Sequence, residues 1–361
     1  MNSPQKFLSS NLHLHSPYKP GIQPMFSSQF LKLNTNENPF PPSEFVQPAI
    51  LAEIQNLRLY PNPPSESLRA CIAKLHGLSE KQVVVGNGSD DILNLCMRCF
   101  SDQNLKAGML IPSYSLYDVL ASIQGAQIIG IPFSNDQFEL PVDKIIESEA
   151  NVFFLTSPHA PSGKEYDLKD FETILNNFDG ILIIDEAYVD FAKNNALSLL
   201  KRFENLVVSR TFSKSYSLAG LRVGYALSSH SIVSILDQAR EVYNVDRLAQ
   251  AGAIAAINDE DHFNFTKGEI IKVRGQLYDK FLEWGWKTIP SGANFLFTQP
   301  QDKNSVTSPS VAKNLYEFLL QNEILVRYFP NNSLTSSYLR ISIGMPSQMI
   351  ILVEKIEKWL A

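Results

Sequence analysis

The chain has 361 residues, of which 44% are hydrophobic and 19% are charged. This length suggests two domains, with a core large enough to fold without disulfide bonds. The formal net charge of -6, from 31 basic and 37 acidic residues, argues against binding to nucleic acid through a bulk positive field. The 3 cysteines exclude a disulfide framework and fit a reducing compartment, so we expect a cytoplasmic protein.

We expect neither a signal peptide in the N-terminal part nor a membrane span in this sequence. Its first residues lack the apolar run that a signal peptide needs, and no stretch of roughly 18 apolar residues occurs anywhere, so no membrane span is expected. The stretch to about Pro42 is rich in Ser, Pro, Asn and Gln. We therefore expect residues 1–45 to form an irregular arm.

Short apolar runs then alternate with helical patterns. The runs are continuous, as expected of strands that are buried on both faces. They predict strands at 83–85, 109–111, 128–131, 152–155, 181–184 and 206–208, and the intervening patterns predict helices at 89–100, 116–124 and 168–177. The sequence therefore predicts an α/β domain over residues 46–265, built on a large, mostly parallel sheet covered by helices.

The alternation of short strands and helices ends at about residue 230. The pattern predicts long helices at 232–257 and 263–284, short strands near 295–297, 324–327 and 339–343, and helices near 311–321 and 349–360. The polar segment 299–310 predicts a surface loop. We expect a smaller α+β domain over residues 266–361.

Polar residues follow two of the predicted strands, at the edge where ligands bind in open α/β sheets. Asp185 ends a buried run, where a carboxylate is costly unless it meets a positive group, although it could also be a turn acid or a helix cap. Lys214 follows the next run, among small hydroxyl residues. It is either an exposed lysine or one that forms an imine, with a pKa lowered by desolvation and by Arg222.

Two further loops follow predicted strands. The turn 86–88 contains two glycines and precedes the helix that begins at Ser89, so it either binds a phosphate or is an ordinary tight turn. It matches neither the Walker motif nor the dinucleotide fingerprint. The segment 157–163 contains two prolines and a glycine, which predict a rigid loop.

These segments, in this order, resemble the fold-type-I aminotransferases that use pyridoxal 5'-phosphate. The resemblance runs from about residue 16 to the C-terminus. Within that superfamily the chain is most similar to the histidinol-phosphate aminotransferase branch. The segments that carry the resemblance are 33–39, 60–61, 86–90, 210–214, 218–224, 243–250, 326–329 and 339–342.

The resemblance implies how the cofactor would be held. Lys214 would bind it as an imine and then act as general base and acid. Asp185 would pair with the pyridine nitrogen and keep the ring cationic. Tyr60 would reach the phosphate from the other subunit, which implies a homodimer with shared sites. The other implied contacts are Tyr188 at the phenolate oxygen, Tyr114 stacked on the ring, and Gly88, Ser89, Asp90, Ser213 and Arg222 at the phosphate.

The resemblance also implies the substrates, which are small molecules. Arg327 and Arg340 would hold the phosphate of histidinol phosphate, with Tyr18 and Asn38 as further contacts, and would bind the carboxylates of glutamate. The implied reaction converts histidinol phosphate and 2-oxoglutarate to imidazole acetol phosphate and glutamate, in histidine biosynthesis. Arg327 on its own could instead be an exposed strand-end arginine.

One position departs from the family pattern. Ala160 stands where the family often has an asparagine whose amide meets the phenolate oxygen, and alanine cannot donate a hydrogen bond. Either His159, Tyr188 or water serves that oxygen, or the loop shifts. Our hypothesis is that His159 compensates.

Other readings of the sequence remain. An aromatic amino-acid aminotransferase or a threonine-phosphate decarboxylase would share the fold, and a cofactor-binding regulatory protein is a non-enzymatic alternative that the presence of both Lys214 and Asp185 disfavours. Cys96 and Cys99 lie in an apolar helical stretch and indicate core packing. No metal site is expected, because the histidines at 13 and 15 lack partners of the right kind.

Overall fold

The computed structural model describes residues 4–12, 17, 21–24 and 30–361. The predicted substrate contact Tyr18 lies outside the described residues, as do His13 and His15. Within the described ranges, no helix is both long and apolar enough to cross a membrane.

Helices and strands alternate along most of the chain. The helices are α1 Val46–Glu53, α2 Glu66–His76, α3 Ser89–Phe100, α4 Leu116–Gln124, α5 Val142–Ile146, α6 Leu168–Asn177, α7 His230–Ala239, α8 Arg247–Ile257, α9 Glu260–Glu283, α10 Pro309–Gln321 and α11 Pro346–Leu360. The strands are β1 Leu31–Lys32, β2 Val83–Gly86, β3 Ala107–Ile111, β4 Ile128–Pro132, β5 Val152–Thr156, β6 Ile181–Asp185, β7 Leu206–Thr211, β8 Gly224–Ser228, β9 Lys287–Ile289, β10 Phe295–Gln299, β11 Ile324–Leu325, β12 Arg327–Tyr328 and β13 Leu339–Ser342.

The large sheet has the strand order β2-β8-β7-β6-β5-β3-β4. Strand β8 pairs antiparallel with β2 and with β7, and the remaining pairs are parallel. The carboxyl ends of the other six strands therefore meet at one edge, where β8 begins. Thr156 lies beside Asp185 in the register of β5 and β6, and Asp185 lies beside Ser209 of β7.

The strands of this sheet are buried on both faces, as their continuous apolar runs predict. In β5, Phe153 and Leu155 belong to one apolar cluster, whereas Phe154 between them belongs to another on the opposite face. The same alternation occurs in β2 and β6. Cys96 of α3 is buried in the second cluster, which confirms the expected core packing. The predicted large, mostly parallel sheet is confirmed.

A smaller antiparallel sheet, in the order β12-β13-β10-β9, forms the C-terminal part. Its β12 and β13 place Arg327 directly opposite Arg340. Like-charged neighbours on paired strands repel each other unless an anion lies between them. This sheet, with the helices α10 and α11, is the expected smaller α+β unit. The exact domain boundaries at 45 and 265 stay predictions.

Three sequence predictions about local structure were wrong. The stretch 232–257 is two helices, because Arg240 is extended and the carboxylate of Asp246 accepts the N–H of Ala249 and starts a new helix. The stretch 324–327 contributes to two sheets, since β11 pairs with β1 and β12 pairs with β13. The expected arm is not wholly irregular, because β1 is a strand within it. In addition, strand β8 of the large sheet was not predicted.

Candidate active site

A cavity of about 180 Å³ opens at the carboxyl edge of the large sheet and faces the small sheet. It forms there because parallel strands present their ends together, and loops that follow them bring polar side chains to one place. The predicted site residues that line it are Ser89, Asp90, Tyr114, Asp185, Tyr188, Ser213, Lys214, Arg222, Arg327 and Arg340.

Three predicted site residues lie outside the cavity wall. Gly88 lies behind Arg222, and a Cβ atom on it would come within 2.5 Å of the guanidinium Nη2. The amide of Asn38 donates to the carbonyl of Ser215 at 3.1 Å, next to Lys214 in the chain. Tyr60 is 77% exposed on the surface and stacks on Tyr243. The roles assigned to these residues stay predictions.

Lys214 lies after β7 with its amine inside the cavity. Its Nζ donates to the carbonyl of Thr35 at 3.1 Å, which ties it to the N-terminal segment. Burial and, second to it, the positive charge of Arg340 lower the pKa of Lys214 to about 8, while the charge of Glu37 opposes the change. A substantial fraction of the amine is therefore neutral near pH 8, the form that attacks a carbonyl.

Asp185 ends β6 at the bottom of the cavity and is only 3% exposed. Its Oδ2 accepts the hydroxyl of Tyr117 at 2.8 Å, and its Oδ1 accepts the N–H of Ala187 at 3.2 Å. Both donors are neutral groups, and burial raises the pKa of Asp185 to about 6. A cation placed against this carboxylate would bring the pKa down and be held in turn.

Tyr117 is a functional candidate that the sequence did not single out. Besides Asp185, its hydroxyl contacts Thr156 Oγ1 at 2.8 Å, and its ring meets Tyr114 edge to face with centroids 5.6 Å apart. It lies on the buried face of α4, where an aromatic residue in an apolar pattern indicates core packing. The available signal was its position three residues after Tyr114, in the first turn of α4.

Arg222 stands at the predicted phosphate end of the cavity. Its guanidinium bonds to Asp90 at 3.0 Å and to Ser213 Oγ at 3.2 Å. Gly88 immediately precedes α3 with a φ of 85°, a backbone conformation that favours glycine, and the missing side chain makes room for Arg222. The first N–H groups of α3 lack partners within the helix, so this end suits an anion.

Arg327 and Arg340 enter from the opposite wall. Arg340 donates to the carbonyl of Asn34 at 3.1 Å, and its guanidinium lies 5.2 Å from the ring centre of Phe295. Both arginines lie over Phe329, at 5.7 Å for Arg327 and 5.4 Å for Arg340. These ring contacts hold two positive groups at the same part of the cavity, an arrangement that suits an anionic ligand.

The hypothesis that His159 replaces the missing amide at Ala160 is wrong. The His159 side chain is fully buried, with Nε2 at 3.0 Å from the carbonyl of Pro112 and Nδ1 at 2.7 Å from Ser162 Oγ. Burial lowers the pKa of His159 to about 4, so the ring is neutral, and its one N–H is used by the carbonyl. It has no donor left for the cavity.

An amide does reach this part of the site, from the N-terminal segment. The Nδ2 of Asn36 donates to the hydroxyl of Tyr188 at 3.0 Å. Asn36 lines the cavity, and its side chain is almost wholly buried. Sequence reasoning missed it, because the two residues are 152 positions apart.

Comparison with known proteins agrees with the geometry. The family model for aminotransferase class I and II matches residues 28–356. A histidinol-phosphate aminotransferase of Geotalea daltonii is 40% identical over 95% of this chain and 96% of its own length. One of Microcystis aeruginosa is 41% identical over 94% of this chain and 95% of its own.

A solved structure shares the fold. The histidinol-phosphate aminotransferase of Sinorhizobium meliloti, in complex with pyridoxal-5'-phosphate, superposes with a TM-score of 0.84 at 23% identity, over 91% of this chain and 90% of its own. Together with the match over residues 28–356, these likenesses show that the chain belongs to the aminotransferase class I and II family.

Proposed function

We propose that this protein is a pyridoxal 5'-phosphate-dependent aminotransferase that acts on histidinol phosphate and 2-oxoglutarate. The observation that carries the proposal is one cavity with an amine of lowered pKa, Lys214, and a buried carboxylate, Asp185. Relatives that are about 40% identical over nearly the whole chain bear the name of that activity.

The residues present fit the cofactor. The Asp185 carboxylate has only neutral donors and suits a protonated pyridine nitrogen. Arg222 and the beginning of α3 suit a phosphate. The Lys214 amine lies in the same cavity and would form the covalent link to an aldehyde. When bound, pyridoxal phosphate supplies that aldehyde and a ring that accepts electrons from the substrate carbon.

Lys214 then has a second task. With cofactor and substrate bound, the Nζ of Lys214 would be the base beside the substrate carbon that carries the amino group. It would remove the proton from that carbon and return a proton to the carbon of the cofactor's former aldehyde. The carbonyl of Thr35, 3.1 Å from Nζ, would hold the amine in position for both tasks.

Arg327 and Arg340 select the substrates. Both line the cavity opposite Lys214, and a phosphate or a carboxylate between them would offset their mutual repulsion. Histidinol phosphate loses its amino group and becomes the ketone imidazole acetol phosphate. 2-Oxoglutarate gains that amino group and becomes glutamate. Each substrate presents an anionic end that the same two guanidinium groups can bind.

A homodimer with shared sites is part of the proposal. Apolar side chains are exposed in two segments that meet where the ring of Tyr60 stacks on Tyr243, and exposed apolar groups are typical of an interface. The exposed residues of these segments include Phe45, Leu51, Leu57, Leu59, Tyr60, Val242 and Tyr243. Mixing a Tyr60→Ala protein with a Lys214→Ala protein should restore activity through mixed dimers with one intact site. A sedimentation experiment that finds only monomers would exclude the shared site.

The reaction itself is tested with a substrate panel. Purified protein with pyridoxal phosphate should form glutamate from 2-oxoglutarate when histidinol phosphate is supplied, and should form less when phenylalanine or tyrosine replaces it. Release of carbon dioxide from threonine phosphate would favour the decarboxylase instead. Cofactor binding without turnover of any amine would favour the regulatory alternative.

A further inference from the structure

Asn36 is held by four hydrogen bonds from parts of the chain that are distant in sequence. Its N–H donates to Ser342 Oγ at 2.9 Å, and the same hydroxyl donates to its Oδ1 at 2.8 Å. Its carbonyl accepts the amide of Asn294 at 3.0 Å. The remaining group, Nδ2, donates to the hydroxyl of Tyr188 at 3.0 Å. Every polar group of Asn36 is therefore in use.

The backbone of Asn36 has a φ of 57°, in the left-handed region that asparagine tolerates better than most residues. In this conformation the side chain reaches Tyr188 while the backbone N–H remains hydrogen-bonded to Ser342. Because Ser342 Oγ accepts the N–H of Asn36, its own hydrogen is available for Oδ1. With Ser342 donating to Oδ1, the end of the amide that faces Tyr188 is the donor Nδ2.

A donor at this position sets the direction of the Tyr188 proton. The hydroxyl oxygen accepts from Asn36, so its own hydrogen is free to point at another acceptor. Tyr188 lines the cavity, and its ring centre lies 5.6 Å from the amine of Lys214. An acceptor bound beside Lys214 is therefore within the reach of that hydroxyl.

We propose that Asn36 is a positioning residue that directs the Tyr188 hydroxyl proton into the cavity, onto the anionic ring oxygen of the cofactor next to the Lys214 linkage. The proposal rests on the proposed function. Ala160 of the 157–163 loop has no amide side chain to donate a hydrogen bond. In this proposal the amide comes instead from Asn36 of the N-terminal segment, which acts through Tyr188.

The readout is the titration of the covalent link between Lys214 and pyridoxal phosphate, followed by its absorbance. A hydrogen bond to the ring oxygen stabilises the deprotonated link, so its loss raises the pKa of the link. The charged groups that face Tyr188 are Arg340, Asp185, Asp90 and Lys214, and they are unchanged in every variant below.

Two variants separate the donor from the backbone. Asn36→Gly keeps the left-handed backbone and removes only the amide, and it should weaken the acidity of the link about threefold. Asn36→Asp keeps the shape but turns the donor into an acceptor, which captures the Tyr188 proton. It should weaken the acidity by about tenfold or more, since a negative charge is added as well.

A double-mutant cycle with Tyr188→Phe provides the control. In that background Asn36→Gly should leave the titration where Tyr188→Phe alone puts it, because the amide has no hydroxyl left to act on. The shift that Asn36→Asp still causes there measures its charge alone. An Asn36→Gly protein with a lower melting temperature and an unchanged titration would show a purely structural role and overturn the proposal. A wild-type protein that forms no link with pyridoxal phosphate would overturn the proposed function instead.

Discussion

The two walls of the cavity are built in different ways. The wall at the sheet edge consists of strand ends and the turns that follow them, so its members, such as Asp185 and Lys214, are placed by the register of neighbouring strands. The opposite wall joins the N-terminal segment to the small sheet through contacts such as Asn36 to Ser342, 306 positions apart. Under the proposed function the first wall would hold the cofactor and the second would bind the substrates, so we call them the cofactor wall and the substrate wall.

The walls also interact electrostatically. Arg340 on the substrate wall lowers the pKa of Lys214 on the cofactor wall, and Thr35 accepts a hydrogen bond from the same amine. Substitutions on one wall should therefore change the chemistry of the other in a predictable direction.

The largest effect should come from Asp185→Asn, on the cofactor wall. The cofactor loses a buried charge partner, so its affinity should fall about 100-fold or more, measured by fluorescence titration. In the cofactor-free protein, by contrast, the same substitution should increase the free energy of unfolding at pH 7. Burial raises the pKa of Asp185 from 3.8 to about 6, so the folded protein holds this proton more tightly than the unfolded chain.

The free energy of unfolding should therefore fall as the pH rises from about 4 to about 6, by about 3 kcal/mol or less from this group. Asp185→Asn should remove that dependence and stabilise the cofactor-free protein at pH 7. Denaturant unfolding at several pH values measures it. If Asp185→Asn lowered the free energy of unfolding of the cofactor-free protein at pH 7 as well as the cofactor affinity, the opposed effects of this carboxylate would be contradicted.

The next effect tests the coupling between the walls. Arg340→Gln should raise the KM for histidinol phosphate by about 10- to 100-fold, because a charge-assisted hydrogen bond is lost. It should also raise the pKa of Lys214 above about 8, so that the cofactor loads more slowly below that pH. Stopped-flow absorbance across the pH range measures the loading.

Arg327→Gln is the matched control for this coupling. It removes the partner guanidinium from the paired strand, so the KM should rise in the same way. The pH profile of loading should shift less than in Arg340→Gln, because Arg340 is the arginine whose charge acts most on Lys214. Equal shifts in the two variants would contradict a specific coupling through Arg340.

The smallest effect should come from Tyr117→Phe. The ring and its packing against Tyr114 remain, but the hydroxyl that lowers the pKa of Asp185 is lost. The pKa of Asp185 should rise above about 6, so cofactor affinity should drop several-fold near pH 6 and recover at pH 8. Tyr166→Phe, at a buried tyrosine outside the cavity wall, should leave that pH profile unchanged.

The comparison of the two walls also explains what could be read from the sequence. Asp185 and Lys214 were found because each polar residue follows a continuous apolar run, which marks the end of a buried strand. Tyr117 was missed because its apolar neighbours give it the pattern of a core residue. Asn36 was missed because its partners are supplied only by the folded chain.

The local errors have similar causes. The break between α7 and α8 contains neither glycine nor proline, so the periodic pattern runs through it, and only the capping by Asp246 marks the new helix. Strand β8 was overlooked because it begins at Gly224, only two residues after Arg222, in a segment that was interpreted as a loop. His159 was assigned a donor role from its chemistry alone, and only its contacts with Pro112 and Ser162 exclude that role.

The central claim is that the amine of Lys214 binds the cofactor covalently in the cavity between the two walls. The most direct measurement is reduction of the protein with borohydride in the presence of pyridoxal phosphate, followed by peptide mapping. The account predicts one labelled peptide, with the label on Lys214, and none in a Lys214→Ala protein. A label at another lysine, or no label in the wild-type protein, would contradict it.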